Sequence, residues 1–328
     1  MMDVYLIRDG AVTQHQAAEL PSLLDRDDGL VWVDIVACDD ADAKVLSEVF
    51  GMHPLAVRAC VERNRVPKVH AYAGHVLLIG HEPERGAAGH VHYVEMDQII
   101  GDSYLVVVHG PVNPVVDRDV PRRHTRAVLR RIEAGRVRPG TAFELSYAIV
   151  SGVTRHMEAF IEDVTNEVWH LEQQVTAGHL GDPEQFLEDL FRARHGLLAV
   201  RTMAAASVEI YGRMTALRRF VPSQDHALVE DMVDQFGRIH RLADGEKDYL
   251  QGVIEFYRAR TETKMTIAAE RLAVIAVVTL PITALASIYG MNLIVGGRTD
   301  LLHLAIVLVA MAAISGLLLR WAKKHGWW

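Results

Sequence analysis

Apolar and polar residues alternate in two different ways along this 328-residue chain, and the change falls near residue 140. Before it, short apolar runs set between turn residues predict strands over 4–7, 31–35, 76–80, 91–100 and 104–109, with a helical stretch over 41–50 among them. The runs do not reveal the sheet order. The basic segment 118–138 carries one helical stretch and ends at Pro139-Gly140, a punctuator. Helical periodicity then takes over. Thr141 followed by Glu144 has the spacing of a capping box and opens a helix expected to reach about Thr176. Residues 178–181 break it, and Asp182-Pro183-Glu184 supplies an N-cap, a proline at the first helical position and an acid in the first turn of a helix to about Arg219. Pro222-Ser223 ends that element. No proline follows until Pro281, so a third helix is expected to continue from about Asp225 to Ile288, about 64 residues or roughly 96 Å at ~1.5 Å per residue. Along it Val229, Met232, Phe236, Ile239, Ala243, Leu250, Val253 and Tyr257 recur in steps of three and four, with Glu246 the one polar interruption, which reads as a helix-packing seam.

The apolar residues concentrate at the end of the chain. No charged residue occurs over 272–297, and over 301–319 the only ionisable group is His303. The uninterrupted apolar cores 272–288 and 301–319 are about 26 to 29 Å long at ~1.5 Å per residue, enough to span a hydrocarbon layer. A helical hairpin buried in a soluble core would show a polar stripe, whereas these carry only Thr279, Thr283, Ser287, His303 and Ser315. Arg258, Arg260, Lys264 and Arg271 precede the first span and Arg320, Lys323 and Lys324 follow the second, while the connecting loop has only Arg298 beside Asp300. The positive-inside bias then places both termini in the cytoplasm, with Trp321, Trp327 and Trp328 at the interface.

Composition narrows the classes. Half the residues are apolar, so a core forms without staples, and two cysteines, Cys38 and Cys60, make neither a disulfide framework nor a four-thiolate zinc site. A net charge of −8 argues against nucleic acid as a partner and permits attraction of cations. The first nine residues lack a basic flank leading into an apolar run, so no signal peptide is expected. No Walker loop, GxSxG elbow or HExxH helix occurs, and the chain is not expected to be an enzyme. Among 17 histidines, His75, His81, His90 and His92 lie close in sequence. A His-x-His pair at strand spacing can bind zinc or cobalt, but such alternate residues are commonly just exposed, and no Cys or acidic cluster completes a set.

At the exit of the first span stands Tyr289-Gly290-Met291-Asn292. With Leu280-Pro281-Ile282-Thr283 inside that span, two C-terminal spans and a basic aromatic tail, the chain resembles the CorA family of magnesium channels. The resemblance extends through His53-Pro54-Leu55, Arg65-Val66-Pro67-Lys68-Val69 and residues 104–109, nearly the whole length. It implies a CorA-like fold: an α+β cytoplasmic domain with a mixed sheet (1–140), a cytoplasmic helical pair (141–221), a stalk helix (222–271), a first transmembrane helix (272–291), an external loop (292–300), a second transmembrane helix (301–320) and a basic aromatic tail (321–328). It also implies a homopentamer in a bacterial-type inner membrane, in contact with lipid, whose partners are its own copies and divalent cations. Magnesium is then the transported ion and a regulatory one, and no cofactor is called for.

The chemistry of the residues agrees. Magnesium dehydrates reluctantly, so neutral oxygens that hydrogen-bond its waters suit a fast pore. Asn292 offers such an oxygen, an outer-sphere ligand for hydrated magnesium; its plain alternative is a helix C-cap. Two helices per chain cannot enclose a hydrated ion, so subunits must share the pathway. By resemblance the selectivity filter is Tyr289, Gly290, Met291 and Asn292, and the pore wall continues through Thr283, Leu280, Leu272 and Thr266. Leu280 and Leu272 would be apolar constrictions, or ordinary helix contacts. Pro281 removes a helical hydrogen bond and would place a bend. Asp231, with Asp234 nearby, falls at the family's regulatory carboxylate position on the stalk, or is a solvated acid on a helix face.

The chain departs from the family at several points. Thr266 stands where many relatives have asparagine, and Ala269 occupies a bulky gate position. The loop to Asp300 lacks the acidic motif of the best-known magnesium members, and Tyr72-Ala73-Gly74-His75 lacks the usual carboxylate partner for Asp231. The expected function is therefore a divalent-cation channel, chiefly for magnesium and also for cobalt or nickel. A zinc transporter of the same superfamily and a non-conducting membrane-anchored interaction module are the alternatives.

Overall fold

A computed structural model gives the fold and describes residues 2–26, 28–177, 183–290 and 301–324. The chain divides into two compact units, Met1–Val253 and Ile254–Trp328. In the first, strands β1 (Met2–Arg8), β2 (Ala11–His15), β3 (Leu30–Ile35), β4 (Lys68–Ala71), β5 (Val76–Arg85), β6 (Val91–Ile100) and β7 (Tyr104–Val108) form one sheet in the order β2-β1-β3-β7-β6-β5-β4. Only β3 and β7 run parallel, with Val33 opposite Val106; every other neighbour is antiparallel.

Side-chain alternation assigns the two faces. Val31, Val33, Ile35, Leu77, Ile79, Ile99, Val106 and Val108 share a core with Leu20 and Leu23 of helix α1 (Leu20–Leu24), Leu46 of α2 (Asp40–Glu48) and Ala56, Ala59 and Cys60 of α3 (Pro54–Val61). The opposite face meets α4 (Arg123–Glu133) and α5 (Ala142–Ala177), through His124 Nε2 on Glu82 Oε2 at 2.5 Å and Ser146 Oγ donating to Gln98 Oε1 at 2.5 Å. Helices on both faces leave no side of central strand β3 exposed, and all six of its residues are buried.

Four short elements go beyond the sequence reading. β2 and β4 are edge strands with Gln14, Lys68 and His70 exposed; β2 lacks apolar alternation, and that of β4, through Val69 and Ala71, is only four residues long. A tight turn at Asp9 (φ 53°) and Gly10 (φ 76°), the left-handed pair that primed hairpin turns require, joins β1 to β2. α1 and α3 are only five and eight residues long, with a proline at the second and the first position respectively.

Longer helices follow the expected punctuation. At the start of α5, Thr141 Oγ accepts from Glu144 N at 3.0 Å, while the Glu144 carboxylate reaches back to Gly140 N at 2.6 Å, one residue beyond the usual capping box. α6 (Pro183–Thr215) begins at its proline and ends four residues short of Arg219, the chain passing into turns; Asp182 lies outside the described residues. α7 is assigned as one helix, His226–Gly290, with Pro281 inside it. In the first unit Val229, Met232, Phe236, Ile239, Ala243, Leu250 and Val253 are all buried, and Phe236 stacks on Tyr211 of α6 at 5.4 Å. Thr141 also donates to Asp225 Oδ1 at 3.2 Å, tying the starts of α5 and α7 together.

The second unit contains the rest of α7 and α8 (Leu301–Lys324). Both helices are long and apolar enough to cross a membrane. Among the described residues of this unit only Val274 and Ala322 are buried, and the large apolar side chains Leu272, Ile275, Leu280, Leu304 and Val309 are exposed.

A buried charge cluster organises the sheet on its α4 face. Asp34 of β3 accepts from His109 Nε2 at 2.6 Å, from Arg122 Nε at 3.0 Å and Nη2 at 2.8 Å, and from Thr125 Oγ at 3.2 Å, while Arg122 also pairs with Asp3. Burial on its own would raise the Asp34 carboxyl, but His109 and Arg122 prevail and hold it below the usual carboxylate value. Replacing Asp34 with alanine strands a buried guanidinium, so a loss of about 3–5 kcal/mol is expected, read as a lower denaturant midpoint by circular dichroism of the detergent-solubilised protein. An unchanged midpoint would show that the cluster contributes nothing. Since the folded-state value is depressed, this contribution is complete above the unfolded value of about 4 and is lost as pH falls through the folded one.

Candidate ion pathway

The C-terminal half of α7 carries most of the residues singled out for conduction. Tyr289 and Gly290 are its last two residues; Met291, Asn292 and the loop to Asp300 lie outside the described residues. Gly290 is exposed, and a Cβ built there meets nothing within 4 Å. Leu272 and Leu280 are each 67% exposed, and Thr266 and Thr283 are exposed as well.

Helix geometry relates these positions. At about 100° per residue, Leu272, Thr283 and Gly290 project within about 20° of one another, Leu280 within about 80° of Leu272, and Thr266 within about 120°. All five therefore lie on one side of the helix. Among the described residues of this stretch Val274 alone is buried; it projects about 160° from Leu272 and about 80° from Thr266. The threonine hydroxyls donate to their own helix: Thr283 to the Thr279 carbonyl at 2.9 Å, Thr279 to that of Ile275 at 2.8 Å and Thr266 to that of Glu262 at 3.0 Å.

The cytoplasmic acids sit on the part of α7 in the first unit. Asp231 is exposed, and its Oδ2 accepts from Tyr147 Oη of α5 at 2.6 Å and from Gln235 Nε2 at 2.5 Å. This hydrogen bond to the carboxylate raises the Tyr147 phenol above its ordinary value, with burial assisting. Asp234 is exposed one turn on. Gln235, four residues from Asp231, was discoverable from helical spacing; Tyr147, on another helix, was not. The stretch Tyr72-Ala73-Gly74-His75 closes the β4–β5 turn, with Tyr72 N donating to the His75 carbonyl at 2.8 Å. There the Tyr72 ring packs among His53, His70 and His75 at centroid distances of 4.8, 4.4 and 5.1 Å, an aromatic cluster where a carboxylate was sought.

The clustered histidines divide. His75 and His81 are buried, and His81 Nε2 bonds the Asn64 carbonyl at 2.7 Å. His90 and His92 approach with ring centroids 4.7 Å apart, but among the described residues no three His, Cys, Asp or Glu side chains converge as a metal-ligand set.

Comparison with known proteins bears on the whole of this arrangement. The chain is 22% identical over 307 residues to the cobalt/magnesium transport protein CorA of Thermotoga maritima, covering 90% of this chain and 83% of that one. Its fold is that of the complete CorA magnesium transporter from Methanocaldococcus jannaschii, with a TM-score of 0.80 at 15% identity over 100% of this chain and 99% of that one. It is similar also to the full-length CmaX protein, with a TM-score of 0.75 at 17% identity over 98% and 97% of the two chains. The family described as CorA-like Mg2+ transporter protein matches residues 27–324, nearly the full length, and the chain belongs to that family.

Proposed function

We propose that five copies of this chain form a membrane channel that passes hydrated divalent cations, chiefly magnesium, into the cytoplasm down their electrochemical gradient. The observation that carries this reading is the stripe on α7: Leu272, Leu280, Thr283 and Gly290 share one side of a helix whose apolar surface is uncovered in the single chain. Membership of the CorA-like family supports it. Two apolar helices per subunit cannot surround a hydrated ion, so the stripe faces its own copies around an axis, while the remaining apolar surface faces lipid.

In this arrangement Tyr289, Gly290, Met291 and Asn292 form the external filter, where the Asn292 carboxamide oxygens bond the waters of magnesium and leave the ion its shell. Thr283 adds a ring of hydroxyl oxygens, Leu280 and Leu272 are constrictions that close by dewetting, and Thr266 lines the cytoplasmic approach. Pro281, beside Leu280, frees a backbone carbonyl and allows the helix to bend there. The basic residues flanking the spans support a cytoplasmic position for both termini. An inside-negative potential then favours entry by ~2.3 kcal/mol per charge per 100 mV, about 4.6 kcal/mol for a dication. Asp231, pinned by Tyr147 and Gln235, and Asp234 are the acids through which cytosolic magnesium slows the channel, by relieving repulsion between carboxylates.

Purified protein in liposomes holding a magnesium-sensitive dye tests the pathway. Asn292→Ala is expected to lower magnesium uptake by about tenfold or more, and Leu280→Ala to raise it severalfold by opening an apolar constriction. Uptake of zinc alone across a series of magnesium, cobalt, nickel and zinc would overturn the ion assignment. Wild-type flux in Asn292→Ala would overturn the filter. Asp231→Asn is expected to raise the internal magnesium needed to halve the flux by about threefold or more, whereas an unchanged threshold would remove the acid from regulation.

A further inference from the structure

The carboxyl ends of the two parallel strands adjoin a cavity of about 290 Å³, lined by Val36, the residue after β3, and His109, the residue after β7. From these two ends the chain departs in opposite directions. β3 leads to α2, whose Leu46 joins the core on one face of the sheet, and β7 leads through residues 110–121 to α4, whose His124 meets Glu82 on the other. Diverging connections of this kind open a crevice outside the carboxyl ends of parallel strands, the place where open α/β sheets bind ligands. Gly110 makes the sharp exit from β7 possible: its φ is +66°, and a Cβ there would lie 3.0 Å from Glu95 Cβ.

Three groups give the cavity a chemical character. The first is His109, whose side chain is wholly buried and whose Nε2 is committed to Asp34. The other ring nitrogen, Nδ1, is buried and has no hydrogen-bond partner in the protein. The second and third are the exposed guanidiniums of Arg63, whose Nη2 donates to the Pro111 carbonyl at 3.1 Å, and Arg118. The acids of the lining are engaged locally: Glu95 accepts from Asn64 N at 2.9 Å and Nδ2 at 2.6 Å, and Asp117 from Asp119 N at 2.8 Å. Between the guanidiniums and the imidazole the wall is largely apolar, including Tyr93, Val112 and Val116.

We propose that this cavity is a binding site for a small organic anion, with a phosphate or carboxylate held by Arg63 and Arg118 and a flat or apolar body against Tyr93 and Val116. Its volume suits a molecule no larger than a nucleoside monophosphate, at the small end of ligand pockets. The site lies within the sheet unit, and its occupancy is measured without flux.

Isothermal titration of the full-length protein in detergent, with adenosine monophosphate, citrate and inorganic phosphate in separate runs, tests the proposal. Saturable binding of adenosine monophosphate or citrate is expected, and which of the two binds identifies the anionic group. Arg118→Ala and Val116→Trp, one removing charge at the mouth and one filling the cavity, should each weaken it by about tenfold or more while the melting temperature of the unliganded protein stays near wild type. Titrations flat at millimolar concentration for both organic anions would overturn the proposal. So would inorganic phosphate binding as tightly as either of them, or affinities that neither variant changes.

Discussion

The apolar side chains of α8 and of the C-terminal part of α7 have almost nothing in their own chain to cover them, and that desolvation problem determines what kind of protein this is. In water, exposed Leu272, Ile275, Leu280, Leu304 and Val309 would each forgo most of the roughly 1.5–3 kcal/mol available to a buried aliphatic side chain. Lipid removes that penalty for a helix, because every internal backbone group is already bonded within it. Lipid does nothing for a side that carries threonines and a terminal glycine. Such a side is best placed against further copies of itself, which is why membrane insertion and self-association are parts of a single requirement.

The sheet unit answers the opposite problem, too much charge inside rather than too much oil outside. Asp34, Glu82, Glu95 and Asp97 are all buried on central strands. Asp34 is held ionised by Arg122 and His109, and Glu82 is matched by His124 and Arg123. Asp97 goes the other way: deep burial, reinforced by the neighbouring Glu95, pushes its carboxyl well above the ordinary value. The two faces of one sheet therefore treat their acids differently: α4 supplies cations to Asp34 and Glu82, whereas on the other face Glu95 accepts from Asn64 and Asp97 is shifted upward.

Much of this was legible in the sequence, for physical reasons that differ by element. The interval without proline from Ser223 to Leu280 announced α7, and the three-four steps from Val229 to Val253 announced its buried side, because a long helix depends on little beyond its own periodicity. β2 and β4 escaped because edge strands such as Lys68–Ala71 owe their pairing to a neighbour rather than to apolar content. The Asp9-Gly10 dipeptide was the signal that could have revealed β2. The β3–β7 pairing, and with it the cavity at their ends, joins residues more than seventy positions apart and leaves no local trace. Of the candidate pathway, the side shared by Leu272, Leu280 and Thr283 follows from spacing alone, whereas the grip of Tyr147 on Asp231 needed α5 and α7 to be brought together.

The threonines of α7 have one more consequence. A hydroxyl that has given its proton to the carbonyl a turn below can only receive hydrogen bonds from outside, so Thr266, Thr279 and Thr283 present lone pairs and no protons to their surroundings. Water around a cation turns its hydrogens outward and is welcome on such a surface; water around an anion turns its oxygens outward and finds no donor.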